Sequence, residues 1–242
     1  MKRIYTLAFL MLLTVQVLFA QRTYLVSVGV CDYPGTANDL SMTVDDAKVI
    51  ANICRSNSNA RYVQLFDSDA TCSAIKRNMA SLFSQAGRND IVILFFSGHG
   101  TPEGLVAYDG VVTYEEIRAE FARCACANKM VFADACYAGR MRAQGRNNGS
   151  SSRNGNDQNV LFFLSSRSDE PSREVPGMSN GLFTAYLERG LRGGADTNHD
   201  RKITAKELFT FVHQGVVEKS EGQQHPVMWG QFDDNWVLMD WR

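Results

Sequence analysis

The stretch Lys129–Gly139, KMVFADACYAG, decides the fold. Met130–Ala133 is a short apolar run, too brief for a helix and bounded by small residues, and it reads as a buried central strand. Asp134 and Cys136 follow where that strand ends. Side chains alternate along extended backbone, so positions two apart share a side, and a carboxylate and a thiol turn toward one cleft. In open α/β sheets, ligands sit just beyond the carboxyl ends of the strands. The competing reading is a small buried cysteine that packs as a hydrophobe.

An earlier stretch favours chemistry over packing. Ile91–Phe96 (IVILFF) is a second continuous apolar run, and it ends in Ser97-Gly98-His99-Gly100. A histidine between two glycines at a strand end is poorly placed for a core, whereas glycine there permits a sharp turn and a close approach of ligand. Two adjacent parallel strands, one ending in His99 and the other in Cys136, set a base beside a thiol. That is the minimal equipment for nucleophilic catalysis, because thiolate rather than thiol attacks carbonyl carbon.

Outward from these two strands, the pattern alternates. Tyr24–Val30 and Tyr62–Phe66 read as strands, and apolar spacing predicts helices over Asp45–Cys54 and Cys72–Phe83. A helix near Tyr114–Ala125 precedes the cysteine-bearing strand, Val160–Leu164 is another buried strand, Gly181–Leu191 has helical spacing, and Trp236–Met239 reads as the last strand. Such alternation specifies an α/β fold, a mostly parallel sheet with helices on both faces. At 242 residues and 45% hydrophobic content the chain suits one domain with a substantial core. A formal charge of -1 argues against a polyanion-binding surface, so nucleic acid is not an expected partner.

Residues 1–20 stand apart. Lys2 and Arg3 give a positive start, Ile4–Phe19 is largely apolar, and Ala20 offers a small residue before Gln21. This is the pattern of a signal peptide, with an uncleaved anchor as the alternative, and it leaves 21–242 as the folded domain. The expectation is export, periplasmic or secreted, with no stable membrane association once the segment is removed. Six cysteines in an exported chain raise the question of disulfides, but their spacing shows no framework. Cys124 and Cys126 lack a second cluster that would complete a metal site, and they read as partly buried thiols near a helix end.

The order Ser97-Gly98-His99-Gly100, then Asp134-Ala-Cys-Tyr-Ala-Gly139, resembles the caspase and metacaspase clan of cysteine peptidases. The similarity is nearer to metacaspases and bacterial caspase-like proteins, since Asp134 stands where caspases have Gln. It runs from Tyr24 to about the last strand. The resemblance implies the caspase-like fold with a six-stranded sheet, Cys136 as nucleophile, His99 as base, and the amides of Gly100 and Cys136 as an oxyanion hole. Metacaspases grip a basic side chain with an Asp at the place of Asp134 and a second in the first helix. Asp46 matches that second position, although Asp45 beside it leaves the register open, and Ser97 lines the same pocket by resemblance. From the residues alone, Asp134 either orients His99 or binds a cation on the substrate, and an Asp near a helix start is also a routine cap. Two carboxylates in one pocket select Arg or Lys before the cut, Arg being suited to a bidentate grip.

Two further segments carry expectations. Asp196–Glu207 resembles an EF-hand loop, with Asp196, Asn198, Asp200, Lys202, Thr204 and Glu207 at the ligand positions, but Arg201 stands where glycine normally turns the chain. Calcium is therefore a possible ligand, though none is needed for the chemistry. The alternative is that Thr204-Ala-Lys-Glu207 is a capping box. Residues 140–158, rich in Gly, Asn and Ser, read as a flexible linker between two halves. Arg146 and Arg153 within it are the expected sites of self-cleavage, Arg140 and Arg142 lying too near the strand end. The sequence thus points to an exported, self-processing cysteine endopeptidase acting on peptides or proteins after Arg or Lys. A catalytically silent caspase-fold binding module is the alternative, and an esterase would need an apolar acyl pocket in place of the paired carboxylates.

Overall fold

The computed structural model describes residues 21–57, 59–136, 160–167, 180–230 and 234–241. The expected signal peptide and the linker with Arg146 and Arg153 lie outside them. In chain order the elements are β1 (Thr23–Gly29), α1 (Thr43–Asn57), β2 (Arg61–Phe66), α2 (Cys72–Phe83), β3 (Ile91–Ser97), β4 (Gly104–Ala107), β5 (Gly110–Thr113), α3 (Tyr114–Arg123), β6 (Asn128–Asp134) and β7 (Val160–Leu164). Then follow α4 (Leu182–Arg189), β8 (Lys202–Thr204), α5 (Ala205–Lys219), β9 (Val227–Trp229) and β10 (Val237–Asp240).

Six strands form the central sheet in the order β2-β1-β3-β6-β7-β9. All neighbours run parallel except β9, which is antiparallel to β7. Strands β1, β3 and β7 are buried along their whole length, as apolar runs without alternation require of a sheet covered on both faces. One face packs on α2 and α3 through residues such as Ile75, Met79, Ile117 and Phe121. The other packs on α1, α4 and α5 through Ile50, Ile53, Phe183, Leu208 and Val212. This is the mostly parallel sheet with helices on both faces that the alternation predicts, and the six-stranded caspase-like architecture that the resemblance implies.

Three features differ from expectation. The last strand forms, as β10, but pairs with β8 in a separate two-stranded ribbon. The sixth strand of the main sheet is β9, whose three residues are too few to show a period. The β4–β5 hairpin is likewise additional, placed between His99 and α3.

The chain leaves β1 toward β2 on one side and returns to β3 on the other, so the carboxyl ends of β1, β3 and β6 meet at the point where strand order reverses. A Cβ at Gly29 would collide with the backbone of Thr43 and Val44. The end of β1 therefore meets the start of α1 at backbone distance, and this closeness delivers Asp46 to the edge of the sheet. Among the described residues no helix is long and apolar enough to cross a membrane.

Candidate active site

His99 and Cys136 leave adjacent strands at the same edge. β3 and β6 are paired over seven residues, ending with Ser97 opposite Asp134, so His99 and Cys136 each lie two residues past a matched pair. The loops that follow touch directly. A Cβ at Gly100 would strike the carbonyl of Cys136 and lie 3.2 Å from Cβ of Ala135, so only glycine lets this backbone lie against the cysteine. Gly100 is also bridged to Leu105, and Val106 donates its N–H to the His99 carbonyl at 2.9 Å, which fixes the loop on the β4–β5 hairpin. Cys136 is a free thiol, half-buried at this edge.

The imidazole is oriented by backbone. His99 Nε2 lies 2.7 Å from the carbonyl oxygen of Asn38. A carbonyl only accepts, so Nε2 carries the hydrogen and the neutral ring leaves Nδ1 as its basic nitrogen. Of the alternatives open for Asp134, the orienting place on Nε2 is thus taken by Asn38. No sequence signal marks a main-chain oxygen on a loop, and this partner was not legible beforehand.

Asp46 and Asp134 come together. A Cβ built at Gly181 would lie 2.7 Å from Oδ2 of Asp134 and 3.2 Å from Oδ2 of Asp46, which places the two carboxylates around one point. Asp46 is 1% exposed and Asp134 6%, so both are shielded from bulk water. Ser97 donates its hydroxyl to Asp46 at 2.7 Å, and Asn180 Nδ2 and the Gly181 N–H donate to its other oxygen at 2.8 and 3.1 Å. Thr184 donates its N–H and hydroxyl to Asp134 at 3.2 and 2.8 Å. Even so, burial first and Asp134 second push the Asp46 carboxyl up to about 7. The helix-cap reading of Asp46 falls, because it is inside α1 and points at Ser97. Asp45 is the outward neighbour, exposed and 3.0 Å from Lys48.

A family model for the caspase domain matches residues 23–235. The chain belongs to the caspase-domain family. Membership makes it a cysteine peptidase by type, with proteins as its class of substrate. No curated protein matches it. Among solved structures, protein GSU0716 from Geobacter sulfurreducens is similar with a TM-score of 0.67 at 17% identity, covering 90% of this chain and 97% of that one. That likeness speaks for the fold alone.

The remaining expected site residues lie elsewhere in the caspase domain. In the Asp196–Glu207 loop, Asp196 and Asp200 accept N–H bonds from Arg201 and Lys202, and Asn198 accepts from Asp200. Arg201 adopts a φ of 65°, the left-handed turn for which an EF-hand loop uses glycine. Glu207 closes a capping box with Thr204 at the start of α5. Among the described residues, no group of three or more His, Cys, Asp or Glu side chains is gathered as a metal site. Cys124 ends α3 and hydrogen-bonds with Cys126, which draws the Cys124 pKa down and sends that of Cys126 up. Both are buried.

Proposed function

We propose that this caspase domain is an endopeptidase that cuts after Arg or Lys, with Cys136 as nucleophile and His99 as base. His99 Nδ1 takes the thiol proton, and the thiolate attacks the scissile carbonyl carbon. The developing oxyanion is stabilised by the amides of Gly100 and Cys136, a contribution that exceeds most others in acyl transfer. The imidazolium then protonates the leaving amine, and water hydrolyses the thioester. One observation carries the specificity: two buried carboxylates converge beside Ser97 at the edge where the thiol sits. Burial first and the Asp134 charge second raise the Asp46 pKa, and a guanidinium or ammonium entering the pocket offsets both.

The experiment is a fluorogenic Arg-peptide assay on wild type, Cys136→Ala, Asp46→Ala and Asp134→Ala. Wild type should cleave, Cys136→Ala should be inert, and each aspartate variant should lose Arg cleavage while remaining folded. Cleavage after Asp or a bulky apolar residue would overturn the specificity, and cleavage by Cys136→Ala would overturn the nucleophile. A protein that binds peptides but cuts none is the silent module instead.

Export and self-processing belong to the same proposal, on the strength of residues 1–20 and of the arginines at 146 and 153 between the two halves. Purified wild type should resolve into two fragments under denaturing conditions, and Cys136→Ala should stay whole. A wild type that cleaves Arg peptides yet remains a single chain removes self-processing and leaves the dyad standing.

A further inference from the structure

The loop after β1 holds His99 by more than the Asn38 carbonyl. Tyr33, 5% exposed, accepts the His99 backbone N–H at its phenolic oxygen at 2.9 Å and donates its own hydroxyl to the Val106 carbonyl at 2.9 Å. Its ring stands against the imidazole, with centroids 4.8 Å apart at 43°. Main chain, ring face and hairpin are thereby tied to one side chain. Gly98 completes the fit: a Cβ there would lie 2.7 Å from the Tyr33 hydroxyl and 3.0 Å from the Phe96 ring, so glycine leaves room for the hydroxyl. The loop is itself anchored. Asp67 accepts the N–H groups of Cys31 and Asp32 at 2.7 and 2.9 Å, and it does so at a φ of 45°, a backbone conformation a non-glycine residue rarely adopts. Asp39 accepts the Tyr33 N–H at 3.2 Å. Burial above all raises the Tyr33 phenol above its ordinary range, so the hydroxyl keeps the proton it donates to Val106.

We propose that Tyr33 is the positioning residue of the catalytic base: its hydroxyl bridges His99 N–H to the Val106 carbonyl, and its ring sets the plane in which Nδ1 meets the Cys136 thiol. The inference rests on the dyad reading above. Placement matters at this scale, since an error near 1 Å in a reacting group costs on the order of a hundredfold in rate.

Tyr33→Phe is the test, because it keeps the ring and removes the bridge. With the Arg peptide, kcat should fall roughly 10- to 100-fold with KM little changed. A second readout needs no substrate: the pH dependence of Cys136 alkylation by iodoacetamide. Thiolate is what reacts, so loosening the imidazole should move the alkylation profile toward that of His99→Ala. A purely structural role would lower thermal stability and leave the profile of the folded protein unmoved. Gly98→Ala supplies an independent variant that displaces the hydroxyl without altering Tyr33. It should reproduce the shift, and the double variant should be less than additive.

A Tyr33→Phe protein with wild-type kcat and a wild-type alkylation profile overturns the proposal. Should His99→Ala alkylate as wild type does, the dyad reading fails and Tyr33 loses its role with it. Normal Tyr33→Phe beside inert His99→Ala strikes the positioning claim alone.

Discussion

With its carboxyl pushed up to about 7, Asp46 holds a proton over a range where an unfolded aspartate, near 3.8, has already lost it. Within that window the folded state binds more protons than the unfolded state, so this group's contribution to stability falls as pH rises, and it levels off above the folded value. The difference in urea midpoint between about pH 5 and about pH 8 should therefore shrink in Asp46→Asn, which keeps the shape and removes the titration. Recognition runs the other way. A cationic side chain needs the ionised pair, so kcat/KM for an Arg peptide should climb through neutral pH, and a profile already flat there would contradict the assignment. Gly100 offers a second test at this scale. Gly100→Ala drives a methyl into the Cys136 carbonyl and forces the two loops apart, so kcat should drop by about a hundredfold and the melting temperature should fall with it.

Among the elements, α5 shows how a sequence signature and its use can diverge. Glu207 reads both as the last ligand of a calcium loop and as the third helical residue of a capping box, and in the fold it makes the box, accepting the Thr204 N–H at 3.0 Å and donating its own N–H to the Thr204 hydroxyl at 3.2 Å. Thr204→Ala should cost about 1 kcal/mol of stability in a denaturant titration. The calcium expectation is tested on the same loop: wild type should melt higher in calcium than in chelator, and Asp196→Ala should lose the difference. Coincident wild-type melts would leave Glu207 to its cap. What could be read in advance divides along similar lines. β3 and β6 were legible because a strand buried on both faces carries an unbroken apolar run, and the residues that close that run and follow it then stand out as Ser97, His99, Asp134 and Cys136. β9 is too short for a period, and the β4–β5 hairpin lacks a long apolar run. The Asn38 carbonyl has no side-chain identity to betray it. Tyr33 sits in Asp32-Tyr33-Pro34-Gly35, where Pro and Gly mark a turn and an aromatic is unremarkable until the imidazole is placed beside it. Asn180 and Thr184, which hold the acidic pair, lie far from it in sequence and meet it only through the packing of α4.

For the molecule as a whole, stability depends on a core divided by the sheet, and Phe163 is central to one side of it. Its ring meets Phe132, Phe183 and Phe209 at centroid distances of 5.9, 5.2 and 5.8 Å. Phe163→Ala should cost about 3–5 kcal/mol, a large part of what a domain of this size has, and should show as a lowered urea midpoint with m unchanged.

The pairing of β6 with β7 has one more consequence. These parallel strands are aligned over five residues, and they flank the segment where self-cleavage is proposed. Cys31, Cys54, Cys72, Cys124, Cys126 and Cys136 all precede that segment, so no disulfide within the chain can staple the two pieces. A cut protein would then be a non-covalent heterodimer that shares one continuous sheet. It should elute as a single particle under native conditions and separate under denaturing conditions without reductant. Unfolding would release two molecules instead of one, so its melting temperature should rise with protein concentration and its refolding should turn second order, whereas Cys136→Ala would refold at a rate independent of dilution.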